Sequence, residues 1–220
     1  MKLLTKLSRR KFFVGAACAI TGAALPGFAL GATRQQQIEE MLKYQEMYQA
    51  LPNERFHIPA VDLSQIDAAY LRRFGEYQTT EVPGTVIVDT AQRVLFLTLP
   101  GGNAIRYGVG IGRAGFSWSG RALINHKREW PTWTPPSEMI VRQPELEEWR
   151  NGMPPGLENP LGARALYIYQ DGRDTLYRLH GTADAQTIGH AVSSGCVRLL
   201  HHDVIDLYNR VPDHTPIVVI

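Results

Sequence analysis

The sequence predicts a mainly β domain with a few short helices, preceded by a helical N-terminal extension. Three observations carry this. Glycine (20) and proline (14) are both abundant in 220 residues, which implies many turns. Three short β-branched or apolar runs, 85–89, 93–99 and 104–111, are separated by brief polar or Gly-Pro-containing breaks and read as an antiparallel meander. Two more runs, 164–169 and 175–180, flank Gln170-Asp171-Gly172-Arg173-Asp174, where Asp-Gly marks a hairpin turn.

Taken in order, residues 1–31 come first. Ser8-Arg9-Arg10-Lys11-Phe12-Phe13 precedes an uncharged apolar and small-residue run, the plan of a secretory signal. Its paired arginines resemble the twin-arginine signal, so the expected partner is the twin-arginine export machinery and the expected location is periplasmic. Cleavage after Ala29 and after Gly31 are equally consistent, and the run from Phe12 to Leu30 approaches spanning length, leaving an uncleaved anchor open.

Residues 32–75 read as the extension. Ile38, Met41, Leu42, Tyr44, Met47, Tyr48 and Leu51 recur at helical spacing over 33–51, and Pro52 ends the pattern. A second helix is expected over 63–74, with Leu63, Ile66, Tyr70 and Phe74 on one stripe and Gly75 as its stop. The domain proper is expected to span 76–220. Within it, 118–160 is Pro-rich, holds Trp130, Trp133 and Trp149, and keeps no period; such a stretch inside a domain reads as a lid or binding loop. The last segment offers Asp203 as a helix N-cap, Val204, Leu207, Tyr208 and Val211 as a helical stripe, and a terminal strand at 217–220.

Composition narrows function before any motif does. The chain is 44% hydrophobic and 20% charged with a formal net charge of +2, so no global charge argument points to nucleic acid. Of the two cysteines, Cys18 lies in the leader, which leaves Cys196 alone in the mature chain. A single thiol in an exported protein is an intermolecular cross-link, a reactive group or an inert buried side chain. Its neighbours favour reactivity. Gly195 permits a tight bend, and backbone N–H groups around it can face an oxyanion. Arg198, two residues on, shares its face in an extended chain and can bind a substrate carboxylate or amide oxygen. His180 closes the second hairpin strand, aligned by alternation with Leu176 and Arg178 and opposite Tyr177 and Leu179; it is the candidate base. Gly181 leaves a carbonyl accessible to orient that imidazole. A metal reading of His180, His190, Cys196, His201 and His202 matches no zinc-ligand spacing, and His190, His201 and His202 are expected at the surface or as caps. No metal or cofactor is expected.

Together these residues resemble a family. His180-Gly181-Thr182 followed by Ile188-Gly189-His190-Ala191-Val192-Ser193-Ser194-Gly195-Cys196-Val197-Arg198-Leu199 is similar to the signature of L,D-transpeptidases with a YkuD-like catalytic domain. The likeness extends to Gly108-Val109-Gly110 with Arg113, Trp133-Thr134-Pro135-Pro136, 159–167 and 203–208. It implies a β-sandwich-like catalytic fold and a cell-wall enzyme acting on peptidoglycan stem peptides. By position, Cys196 is the nucleophile and His180 the base. Gly181 would orient His180, and N–H groups near Ser194 and Gly195 would hold the oxyanion. Arg198, Arg164, Ser193 and Trp133 are the expected substrate contacts. Some members carry His at the position of Ser194, which this chain lacks. The resemblance leaves three outcomes: acyl transfer to an amine (of a second stem, or of an outer-membrane protein), hydrolysis on the same scaffold, or wall binding without catalysis.

Overall fold

The computed structural model describes residues 33–112, 119–193 and 195–220, with only the backbone described at Val192 and Ser193. The expected leader (1–31), Arg113 and Ser194 lie outside the described residues.

The extension begins with α1 (Arg34–Met47). Thr33 caps it: its hydroxyl accepts from the Gln36 N–H at 3.3 Å, and the Gln36 side chain accepts from the Thr33 N–H at 2.7 Å. The helix expected over 63–74 does not form. In its place stand two 3-10 turns, Leu63–Gln65 and Ala68–Tyr70, and then strand β1 (Arg73–Glu76). The reason is local. Asp62 and Asp67 each bond the N–H two residues on, a turn geometry that competes with helix propagation. β1 then pairs antiparallel with β4 (Asn103–Gly108), crossing the boundary expected at 75/76.

The meander is β2 (Val86–Asp89), β3 (Val94–Leu99) and β4, followed by the short β5 (Ile111–Gly112). β6 (Gly120–Glu129) lies inside the stretch expected to be irregular. Its sequence is poor in β-branched residues, yet it pairs with strands on both sides, and that pairing outweighs weak local preference. Only the following residues, with α2 (Ser137–Arg142) and a 3-10 turn at Pro144–Trp149, keep the irregular character. The hairpin is β7 (Arg164–Gln170) and β8 (Arg173–Thr182), joined at Asp171 and Gly172, both with positive φ (50° and 75°). That is the two-residue turn Asp-Gly favours. β9 (Ala191–Ser193), β10 (Val197–Leu200), α3 (His201–Arg210) and β11 (Thr215–Val219) complete the chain.

The strands form one nine-stranded sheet, ordered β1-β4-β3-β2-β11-β6-β7-β8-β10, while β5 pairs with β9 apart from it. The β2–β11 and β8–β10 pairings are parallel. One buried cluster draws Leu95 and Tyr107 from one end of this order and Leu179 and Val197 from the other, so the sheet curls around a single core capped by Val204 and Leu207 of α3. The fold is mainly β, as the sequence predicts. Asp203 is not an N-cap: α3 starts at His201, and Asp203 sits fully buried in its first turn, accepting from the Tyr48 hydroxyl at 3.1 Å. His201 and His202 are also buried, not surface side chains, because α3 packs its first turn against the extension and the 161–163 loop.

Candidate active site

The parallel register of β8 with β10 builds the site. Leu179 faces Val197 and His180 faces Arg198. Leu179 and Val197 are in the core, so alternation sends Arg178, His180, Cys196 and Arg198 to the other face. Residues sixteen apart in sequence are thus brought to one sheet edge.

Cys196, half-buried and not disulfide-bonded, sits immediately before β10 with its sulfur 4.0 Å from the Leu176 carbonyl oxygen. Burial pushes its thiol above the ordinary value; the Arg178 N–H and the charges of Arg178 and Arg198 pull the other way. His180 is buried, and its Nδ1 lies 3.0 Å from the Gly181 carbonyl oxygen. Burial, aided by Arg198, drops its pKa to about 4, against hydrogen bonds that the ring donates to the Gly181 and Pro160 carbonyls, which favour the charged form. Both shifts favour neutral forms. Burial therefore disfavours a thiolate at Cys196 and an imidazolium at His180 alike.

Gly195 has φ 140°, a conformation side chains rarely adopt, which fixes the bend before Cys196 as a glycine position. Gly181 has a second reason to be glycine. A Cβ there would meet the His201 ring, as would one on Gly162, so His201 wedges between the strand end that carries His180 and the 161–163 loop. The Ala163 N–H donates to His201 Nδ1 at 3.4 Å, and the Gly181 N–H donates to the Leu161 carbonyl at 3.1 Å. Burial lowers the pKa of His201 to about 4.

The remaining predicted residues are placed differently from one another. Arg198 stands beside His180, with its backbone paired to Gly110. Arg164 is buried and committed to Glu54 of the extension by paired bonds at 2.8 and 3.0 Å, with Tyr208 under its guanidinium. Trp133 is half-buried and bonded through its backbone to Met153. The Ser193 backbone belongs to β9; its side chain, like all of Ser194, is outside the described residues. Sequence reasoning did not find Arg178, Pro160 or His201 as site neighbours. Arg178 was legible only as the residue two before His180. The other two come from segments whose approach no local pattern encodes. An open depression of ≈ 590 Å³ at the hairpin tip reaches Tyr177, whose ring lies 3.5 Å from where a Gly195 side chain would begin.

The chain is similar to known proteins. The chain is 35% identical over 141 residues to the probable L,D-transpeptidase ErfK/SrfK of Escherichia coli K12, covering 61% of this chain and 43% of that one. It is 33% identical over 140 residues to the probable L,D-transpeptidase YcfS of the same organism, with the same coverage. The chain therefore matches less than half the length of these relatives. A crystal structure from Brucella melitensis, described as a probable carnitine operon oxidoreductase, is 41% identical, covers 72% of this chain and 99% of that one, and superposes with a TM-score of 0.50. The model of the YkuD family, the L,D-transpeptidase catalytic domain, matches residues 83–219, a span holding His180, Cys196 and Arg198, and the chain belongs to that family.

Proposed function

We propose that the chain is a peptidoglycan L,D-transpeptidase with Cys196 as nucleophile and His180 as general base. The observation that supports this reading is the β8–β10 register, which pairs Val197 with Leu179 and Arg198 with His180 and so brings Cys196, immediately before β10, alongside the strand that carries His180. As the sulfur attacks the carbonyl carbon of the third stem residue, its proton passes to His180. A neutral thiol and a neutral imidazole suit that concerted transfer. Backbone N–H groups around Ser194, Gly195 and Cys196 hold the oxygen that gains charge. The intermediate collapses by breaking the bond to D-alanine, whose nitrogen takes the proton from His180, and leaves a thioester on Cys196. An acceptor amine then attacks the thioester, gives its proton to His180, and the thiolate leaves and is reprotonated. Arg198, paired across from His180, binds the donor stem's carboxylate in this reading. Ser193 and Trp133 remain expected substrate contacts.

The acceptor is the amine of a second stem or of an outer-membrane protein. Residues 1–31 act as a twin-arginine leader that delivers the enzyme to the periplasm and the cell wall. Among the described residues no helix is long and apolar enough to cross a membrane.

Incubation with disaccharide-tetrapeptide, followed by mass analysis, tests the reading. Loss of D-alanine with formation of cross-linked dimer is expected. Tripeptide without dimer assigns hydrolysis instead, and an active Cys196→Ala protein removes the mechanism.

A further inference from the structure

The extension lies outside the family span of 83–219, yet it packs against the segment that carries the nucleophile. A second buried cluster is made of Tyr48, Ile66 and Leu71 from the extension with Ala185, Ile188 and Leu200 from the domain. Ala185 and Ile188 lie on the connection from His180 to Cys196, and Leu200 ends the strand that follows Cys196. The extension thus grips both flanks of the nucleophile segment.

Tyr70 is the point of closest approach. Gly189, where the connection turns with φ 80°, lies so near the Tyr70 ring that a Cβ would overlap its edge. A Cβ on Gly108 would overlap the Tyr70 backbone in the same way. From this point the chain is clipped to the domain: the Gly189 N–H donates to the Val109 carbonyl, and the Ile111 N–H to the His190 carbonyl, both at 3.0 Å. Beside the ring, Asp67 and Arg93 border a cavity of ≈ 360 Å³ that also reaches His190, so extension and loop stand apart there and Tyr70 bridges them.

We propose that Tyr70 is a positioning residue: through Gly189 and Gly108 it sets the path of the loop that presents Cys196 to His180. The extension is then a working part of the site and not an appendage. The proposal rests on the transpeptidase reading for its turnover assay, and on thiol reactivity alone for the other.

The test uses the purified protein and its Tyr70→Ala and Tyr70→Phe variants. Two quantities are measured: the pH profile of Cys196 alkylation by iodoacetamide, and kcat and KM on disaccharide-tetrapeptide. For Tyr70→Ala, kcat should fall roughly ten- to a hundredfold with KM little changed, as for a misplaced reacting group. Its alkylation should become faster and its midpoint lower, because a loosened loop exposes the thiol. Tyr70→Phe, which keeps the ring, should restore both. A folded Tyr70→Ala with the parent's alkylation profile overturns the proposal, as does a change in KM alone. Should Tyr70→Ala not fold, Tyr70→Leu carries the same comparison. If the parent itself shows no turnover, the transpeptidase reading fails while the alkylation profiles still decide the role of Tyr70.

Discussion

Arg198 lies directly across from His180 in the parallel pairing of β10 with β8. A permanent cation is thereby fixed beside the candidate base, and it helps hold the imidazole near a pKa of about 4. Removing that charge makes protonation of the ring easier. Arg198→Gln should therefore raise the His180 pKa and move the acid limb of kcat/KM to higher pH. The pH–rate profile checks this, and a limb that stays or moves to lower pH contradicts it.

The pair of buried Arg164 with half-buried Glu54 ties β7 to the extension, and the Trp130 indole donates to the same carboxylate at 2.9 Å. Deleting Glu54 leaves buried Arg164 only the more distant Glu129 carboxylate, at 3.9 Å, as a counter-charge. Glu54→Ala should cost about 3 kcal/mol in urea unfolding. The double variant Glu54→Ala/Arg164→Met should recover part of that loss, whereas additive losses would show that the pair is not the cause.

Gly162 and Gly172 both have positive φ, 62° and 75°, but only Gly162 is crowded, by His201 and the Gly181 backbone. Gly172→Ala should cost only backbone strain, about 1 kcal/mol. Gly162→Ala adds overpacking and should cost about 3 kcal/mol. It should also lower kcat, since the displaced ring presses on the strand end that holds His180. Equal unfolding midpoints for the two variants would rule out the wedge.

His180 and His201 both have folded pKa values near 4, below the ordinary 6.5. Between those values the unfolded chain binds the more protons, so their contribution is present above pH 6.5 and is lost as pH falls through 4. Asp203 opposes them: its pKa is raised to about 7 by burial, so its contribution is present at low pH and is lost as pH rises through 7. His202, whose pKa burial also lowers, acts with the two histidines against Asp203, so stability should fall from pH 6.5 toward 4. His201→Gln should flatten that slope in urea midpoints taken across the range, and an unchanged slope would falsify the assignment.

Strand positions were legible where one face is buried and the turn chemistry is specific. The 164–180 hairpin, with Asp171-Gly172 at its tip, is the clearest case. The helix expected at 63–74 was not: of its stripe, Ile66 is buried in the second core cluster with Leu63 and Tyr70 packed against it, while Phe74 stands exposed on β1. β6 was hidden because its partners, β7 and β11, lie far along the chain and supply the pairing that its own residues do not signal.

For Cys196, the sequence by itself determined that it is one of only two thiols, the other being Cys18 near the N-terminus, that a glycine precedes it, and that a histidine closes a nearby run of strand character. Those are properties of composition, turn chemistry and short-range alternation, which neighbours along the chain fix. Only the tertiary structure decided which partners meet that pair. It set Arg198 beside His180, moved Arg164 to Glu54, put His201 behind Gly181 and brought Tyr70 against Gly189. Each of these contacts joins segments distant in sequence, and it is burial of the shared core, which has no direction along the chain, that selects them.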